Sequence, residues 1–289
     1  MLVALLSVKG SPGVTTFSVA LAARWPAPAR PLLVEADPSG GDIGVRFSLA
    51  ATPGLVSLAA AARHSKDPAL LWQHSQTLPG GLPVVPLPPD ADRARTALSE
   101  LTADPSAGVE MLRAAANAPG VVVIVDCGRI DTASPAIPIV RLADAMVLLT
   151  RAHADDFAHV AHRLPTLGRW TPNPVMLLVG DGYSAAEVAR ELGVSPLGRV
   201  PHDPRGAAAL CGRPAIRRWG RNATARSVLG EVAHKVANVL AARQTSVYRA
   251  SSDSEALPNT RAVASASGLR LVALHQDGPE RTSQGGRGS

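Results

Sequence analysis

Apolar residues along this chain fall into short unbroken runs, separated by segments with helical spacing. Residues 3–8, 31–36, 82–88, 121–128, 143–150, 174–180 and a run ending at Val200-Pro201 are apolar and bounded by turn residues. Runs of this length predict strands, and strands that alternate with helices are those of a sheet covered on both faces. LPVVPLP at 82–88 carries prolines and is placed near a sheet edge. Between the runs, residues 15–25 read as a helix closed by Pro26 and Pro28. Leu55, Leu58, Ala59 and Ala62 share one face of a helix over 53–63. Further helices are predicted over 91–102, 106–117, 154–168 and 184–192, with a short one around Leu70, Leu71 and Trp72. Val228, Leu229, Val232, Val236, Val239 and Leu240 recur at helical spacing in a last helix. This alternation predicts an α/β fold, a doubly wound and mainly parallel sheet flanked by helices.

Polar residues concentrate where the strands end, which in such a sheet is where ligands bind. The first run leads into K-G-S-P-G-V-T-T, comprising Lys9, Gly10, Ser11, Pro12, Gly13, Val14, Thr15 and Thr16, and then into the first helix. A strand, a Gly-rich turn and a helix N-terminus aim backbone N–H groups and the positive helix end at an anion. Thr15 and Thr16 fall where a phosphate-binding loop places its Mg²⁺-binding hydroxyl. The lysine that should follow the second glycine is replaced by Val14, and a lysine stands at the loop entrance instead, Lys9. The second run delivers Glu35 and Asp37 to its end, followed by the polar loop PSGGDIG with Asp42. Such a stretch also reads as an ordinary Asp/Ser/Gly turn. VVVIVDCG at 121–128 leads five β-branched residues to Asp126, where nucleotide-binding proteins hold Mg²⁺.

The loop resembles that of the ParA/MinD ATPases, which reads K-G-G-x-G-K-[ST]-[ST]; Lys9, Gly10, Gly13, Thr15 and Thr16 keep register, whereas Ser11 and Val14 depart. The resemblance covers about residues 1–243 and implies an ATP- and Mg²⁺-dependent homodimeric switch acting in partitioning or in positioning a cellular machine. It implies that Lys9 reaches the partner's phosphates, that Asp37 positions the attacking water, and that Thr15 and Asp126 serve the metal. It also places Asp181 at the base and matches I-P-x-D to the stretch holding Pro201 and Asp203. An aspartate at 181 can pair with adenine or guanine, which leaves the base open. Val14 implies slow or weak hydrolysis, because a phosphate-loop lysine neutralises charge on the transferred group. A catalytically silent localisation scaffold, of the kind that positions pili or secretion machinery, is the alternative.

Composition changes this picture little. The 289 residues carry a formal net charge of +6, which permits attraction to nucleic acid or an anionic membrane without establishing it. Arg217, Arg218 and Arg221 form a basic patch that suits DNA phosphates or a solvated surface, so a nucleotide-independent DNA-binding accessory factor is a third reading. Cys127 and Cys211 lack metal-ligand spacing and read as reduced core residues. His153, His159 and His162 read as the polar face of a helix rather than as a metal site. No signal peptide or membrane span is visible, so a cytoplasmic location is expected and membrane contact is not. Residues 244–289 are rich in Ser, Gly, Pro and charge and are expected to form a mostly disordered tail.

Overall fold

Leu2–Ser7 form strand β1, and every one of its six residues is buried. A strand can be apolar on both faces only at the middle of a covered sheet, and β1 lies between β5 (Val121–Arg129) and β6 (Ala145–Ala152), parallel to both. This computed structural model describes residues 1–10, 12–103, 107–171, 173–211 and 227–255, and for 244–255 the backbone alone. The chain divides into two units, Met1–Leu257 and Pro258–Ser289, and every element below belongs to the first.

The remaining strands are β2 (Arg30–Glu35), β3 (Gln76–Thr77), β4 (Pro83–Val85), β7 (Pro174–Gly182) and β8 (Gly198–Val200). They complete one sheet of order β3-β4-β2-β5-β1-β6-β7-β8. All pairings are parallel except β3 with β4. The proline-bearing run at 82–88 therefore lies one strand in from the edge, and the two-residue β3 covers it. The sheet and its flanking helices are the doubly wound architecture that the apolar runs predict.

Alternate residues of β1 divide between two cores. Val3 and Leu5 pack with Phe17 and Leu21 of α1 (Val14–Ala23), Leu210 of α10 (Pro204–Leu210), and Leu229, Val236 and Leu240 of α11 (Val228–Glu255). Leu2, Ala4 and Leu6 face the opposite layer. That layer includes α3 (Leu55–Ala62), α5 (Ala91–Thr102), α6 (Ala107–Asn117), α7 (Ile137–Leu142) and α8 (Ala154–Leu167). Short helices α2 (Ile43–Arg46) and α4 (Leu70–Gln73) follow β2 and α3, and α9 (Ala185–Leu192) follows β7. Val228, counted in the apolar face of the last helix, is exposed, and Ala233 and Ala237 take buried positions instead. The last helix runs on to Glu255, past residue 243. No described helix is long and apolar enough to cross a membrane.

Candidate functional site

The C-terminal ends of β1, β2 and β5 open into a cavity of about 370 Å³. It is lined by loop residues Gly10, Gly13, Val14, Thr15 and Thr16, and by Asp37, Ser39, Asp42 and Arg46 from the segment after β2. Ser7, Gly128 and Arg129 complete the lining from the ends of β1 and β5. The turn is built by Gly10 at φ 64° and Gly13 at φ 91°, values that side chains rarely adopt. Gly13 caps α1 and its carbonyl accepts from Phe17 N–H at 2.9 Å. Pro12 of the turn is buried. Val14 is only 5% exposed and belongs to the α1 core, so the position of the usual lysine is occupied by apolar packing.

Asp126 is fully buried behind the cavity lining, two residues before Gly128 of its wall. Its Oδ1 accepts from Gly128 N–H at 3.1 Å, whereas Oδ2 has no hydrogen-bond partner. Burial pushes its carboxyl up to about 7; the Thr15 hydroxyl opposes that rise without completing a hydrogen bond of good geometry. A buried unpaired carboxylate oxygen beside a threonine hydroxyl is a costly arrangement that a hard cation would relieve, and two oxygen donors suit Mg²⁺. Among the described residues there is no cluster of three or more His, Cys, Asp or Glu placed to hold a metal without further ligands.

Asp37 follows β2, with Oδ1 accepting from Ser39 N–H at 2.8 Å; burial raises its carboxyl. Gly128 permits this placement. A Cβ on Gly128 would fall 1.8 Å from Asp37 Oδ2, and the residue has φ 56°. Gly128→Ala should therefore displace the Asp37 carboxyl and cost about 2 kcal/mol through backbone strain and collision. Denaturant midpoints check the stability, and nucleotide titration checks the site; a parent-like result in both would mean that the segment after β2 yields easily.

The segment itself is held by Glu35, which is 1% exposed. Its Oε1 accepts from Asp42 N–H at 2.7 Å and Ile43 N–H at 2.8 Å, and Oε2 from Leu87 N–H at 3.0 Å. Burial raises its carboxyl to about 7, with neighbouring Asp126 adding to the rise.

Several expected site residues stand elsewhere. Lys9 is partly buried and does not line the cavity. Asp181 is exposed at the end of β7, in a turn pinned by the Arg199 guanidinium, which donates to the Gly180 and Tyr183 carbonyls. Pro201 follows β8. Asp203 caps α10, accepting from Gly206 N–H at 2.8 Å, and its other oxygen accepts from Leu229 N–H at 3.2 Å. Cys127 is buried, but Cys211 is only partly so, and its sulfur lies 3.8 Å from Thr16 Oγ1. Ser11 and the patch of Arg217, Arg218 and Arg221 lie outside the described residues.

No protein-family model matches the sequence, and no curated protein does. Solved structures do. A ParA family ATPase from Chlorobium tepidum superposes with a TM-score of 0.64 at 15% identity, over 82% of this chain and 98% of that one. The fold is that of the ParA/MinD ATPases. The septum site-determining protein MinD from Pyrococcus horikoshii, solved with Mg-ADP, gives 0.60 at 16% identity, over 83% and 98% of the two chains. A McdA variant from Cyanothece in complex with ATP gives 0.55 at 16%, over 81% and 95%. In this ParA/MinD-type fold the cavity described above lies at the end of the central strand. Sequence reading missed Arg46, Ser39, Gly128 and Arg129 in its walls. The one available signal for Arg46 was its i,i+4 spacing from Asp42, with which its guanidinium pairs.

Proposed function

We propose that this chain binds a purine nucleotide with Mg²⁺ and works as a ParA/MinD-type homodimeric switch, with slow or no hydrolysis. The observation that carries the reading is Asp126, buried with Oδ2 unpaired and beside Thr15 of the Gly-rich turn. Thr15 and Asp126 would hold Mg²⁺, directly or through water, and the metal would supply charge neutralisation to the phosphates. Gly10, Ser11, Pro12 and Gly13 would offer the phosphates backbone N–H groups, proline excepted, with Thr16 adding its hydroxyl. Asp37 would orient an attacking water; Asp181, Pro201 and Asp203 belong to the base side. Lys9, which does not line its own cavity, would serve the partner's phosphates. Dimerisation would control a partner protein or DNA in partitioning or in positioning a cellular machine. Structural neighbours bound to Mg-ADP and ATP support the nucleotide part of this reading.

Val14, packed into the core, favours a second reading in which the chain keeps the fold as a silent localisation scaffold. Titration with Mg-AMPPNP and its guanosine counterpart, following heat and molecular mass together, separates the two. Micromolar binding with a monomer-to-dimer shift is expected, and Lys9→Ala should bind yet stay monomeric. No binding at millimolar analogue would leave the scaffold. Dimerisation unaffected by Lys9→Ala would remove its role across the interface.

A further inference from the structure

Val14 leaves this cavity without the loop lysine that would neutralise phosphate charge, yet the cavity is not without cations. Arg46 and Arg129 are both in its walls, and neither belongs to the loop. Arg46 is the better placed. It ends α2, and that helix is fixed by the Glu35 carboxyl through the Asp42 and Ile43 N–H groups. Its Nη1 reaches Thr16 Oγ1 at 3.4 Å, a long and weak contact to the second hydroxyl of the turn. Its Nη2 pairs with the exposed carboxylate of Asp42. A guanidinium has five N–H donors, so these two contacts leave donors for a further acceptor in the cavity.

We propose that Arg46 is the phosphate-neutralising cation of this site, supplied by the segment after β2 in place of a lysine at position 14. The assignment rests on the nucleotide-binding reading above. Its chemistry is that of a charge-assisted hydrogen bond between guanidinium and phosphate oxygen, in which Asp42 is a competing anion that the phosphate displaces. Because the cation sits on the segment that also carries Asp37, nucleotide phosphates would draw Asp37 and Arg46 together, coupling their positions to occupancy.

Four chains distinguish this from a purely structural part for Arg46: the parent, Arg46→Gln, Arg46→Lys and Asp42→Ala. Each is titrated with Mg-AMPPNP and checked by thermal denaturation. Arg46→Gln removes the charge while keeping a polar side chain, and should weaken binding about 10- to 100-fold. Arg46→Lys should recover most of the loss. Asp42→Ala should tighten binding, since it removes the competing anion and frees the guanidinium. If Arg46→Gln binds within about twofold of the parent, the assignment fails while nucleotide binding stands. Asp42→Ala weakening binding as much as Arg46→Gln would also overturn it, because the pair would then be acting only to build α2. A folded parent that binds no Mg-AMPPNP overturns the nucleotide reading and this assignment together.

Discussion

Glu35→Ala is expected to destabilise the protein by about 3–4 kcal/mol, the largest loss among single substitutions at the site. Its carboxylate satisfies three backbone N–H groups, those of Asp42, Ile43 and Leu87. Each donor left unpaired in the interior costs about 1–3 kcal/mol, and relief of the carboxylate's own burial returns part of the sum. Glu35→Gln should fall between alanine and the parent. Its amide oxygen can replace one carboxylate oxygen, but its NH₂ group must then face an N–H on the other side. The immediate surroundings leave little room to adjust, because a Cβ on Gly41 would already lie 2.7 Å from Glu35 Oε2. Urea denaturation should show a lower midpoint with an unchanged slope. A loss below about 1 kcal/mol would mean that water replaces the carboxylate, and that the segment after β2 does not depend on it. The functional consequence follows from the position. Residues 37–46 carry Asp37, Asp42 and Arg46 into the cavity, so loosening their anchor should weaken nucleotide binding as well.

That dependence was invisible in the sequence, although Glu35 itself was seen at a strand end. What can be read from one chain is periodicity, and β1 and β5 are legible because strands buried on both faces must be apolar throughout. The acidic residues Asp37 and Asp126 were legible for a related reason, since charge directly after such a run interrupts the burial pattern. The two-residue β3 and the short helices α7 and α10 were not. Elements of that size are fixed by what they pair with, not by a period of their own. Asp203 illustrates a local rule overlooked: an aspartate followed by proline reads as an N-cap with Pro at the first helical position, and that is where it stands. Arg46 and Gly128 were missed because their roles exist only in space. One reaches Thr16 from a different strand connection, and the other is defined by the Asp37 carboxyl it leaves room for.

Asp126→Asn should stabilise the nucleotide-free protein at pH 8 while removing its Mg²⁺-dependent binding. Burial raises the Asp126 carboxyl from 3.8 to about 7, so between these values the folded state holds a proton that the unfolded state has released. Stability from this group is therefore fully present below about pH 4 and is lost as pH rises through about 7. The loss is on the order of 3 kcal/mol when discounted for coupling to Glu35, whose carboxyl titrates in the same range and is the Asp126 partner across β2 and β5. Asparagine carries no charge to desolvate, but its NH₂ inherits the unpaired position of Oδ2. That leaves a net gain of about 1–2 kcal/mol at pH 8 and none below about pH 4, where the carboxyl is neutral in the folded and unfolded chain alike. The difference between parent and variant across pH reports the Asp126–Glu35 pair and cancels the distant carboxyls. With Mg-AMPPNP at about 100 times its dissociation constant, the order should reverse, because the parent alone gains about 2.7 kcal/mol from binding. Holding the metal requires the ionised carboxylate, so the parent's affinity should fall as pH drops below about 7, with a proton released on binding. A parent whose affinity is flat from pH 6 to pH 8, or an asparagine variant that still binds with Mg²⁺, would show that Asp126 is not a metal ligand and that its burial serves the sheet alone.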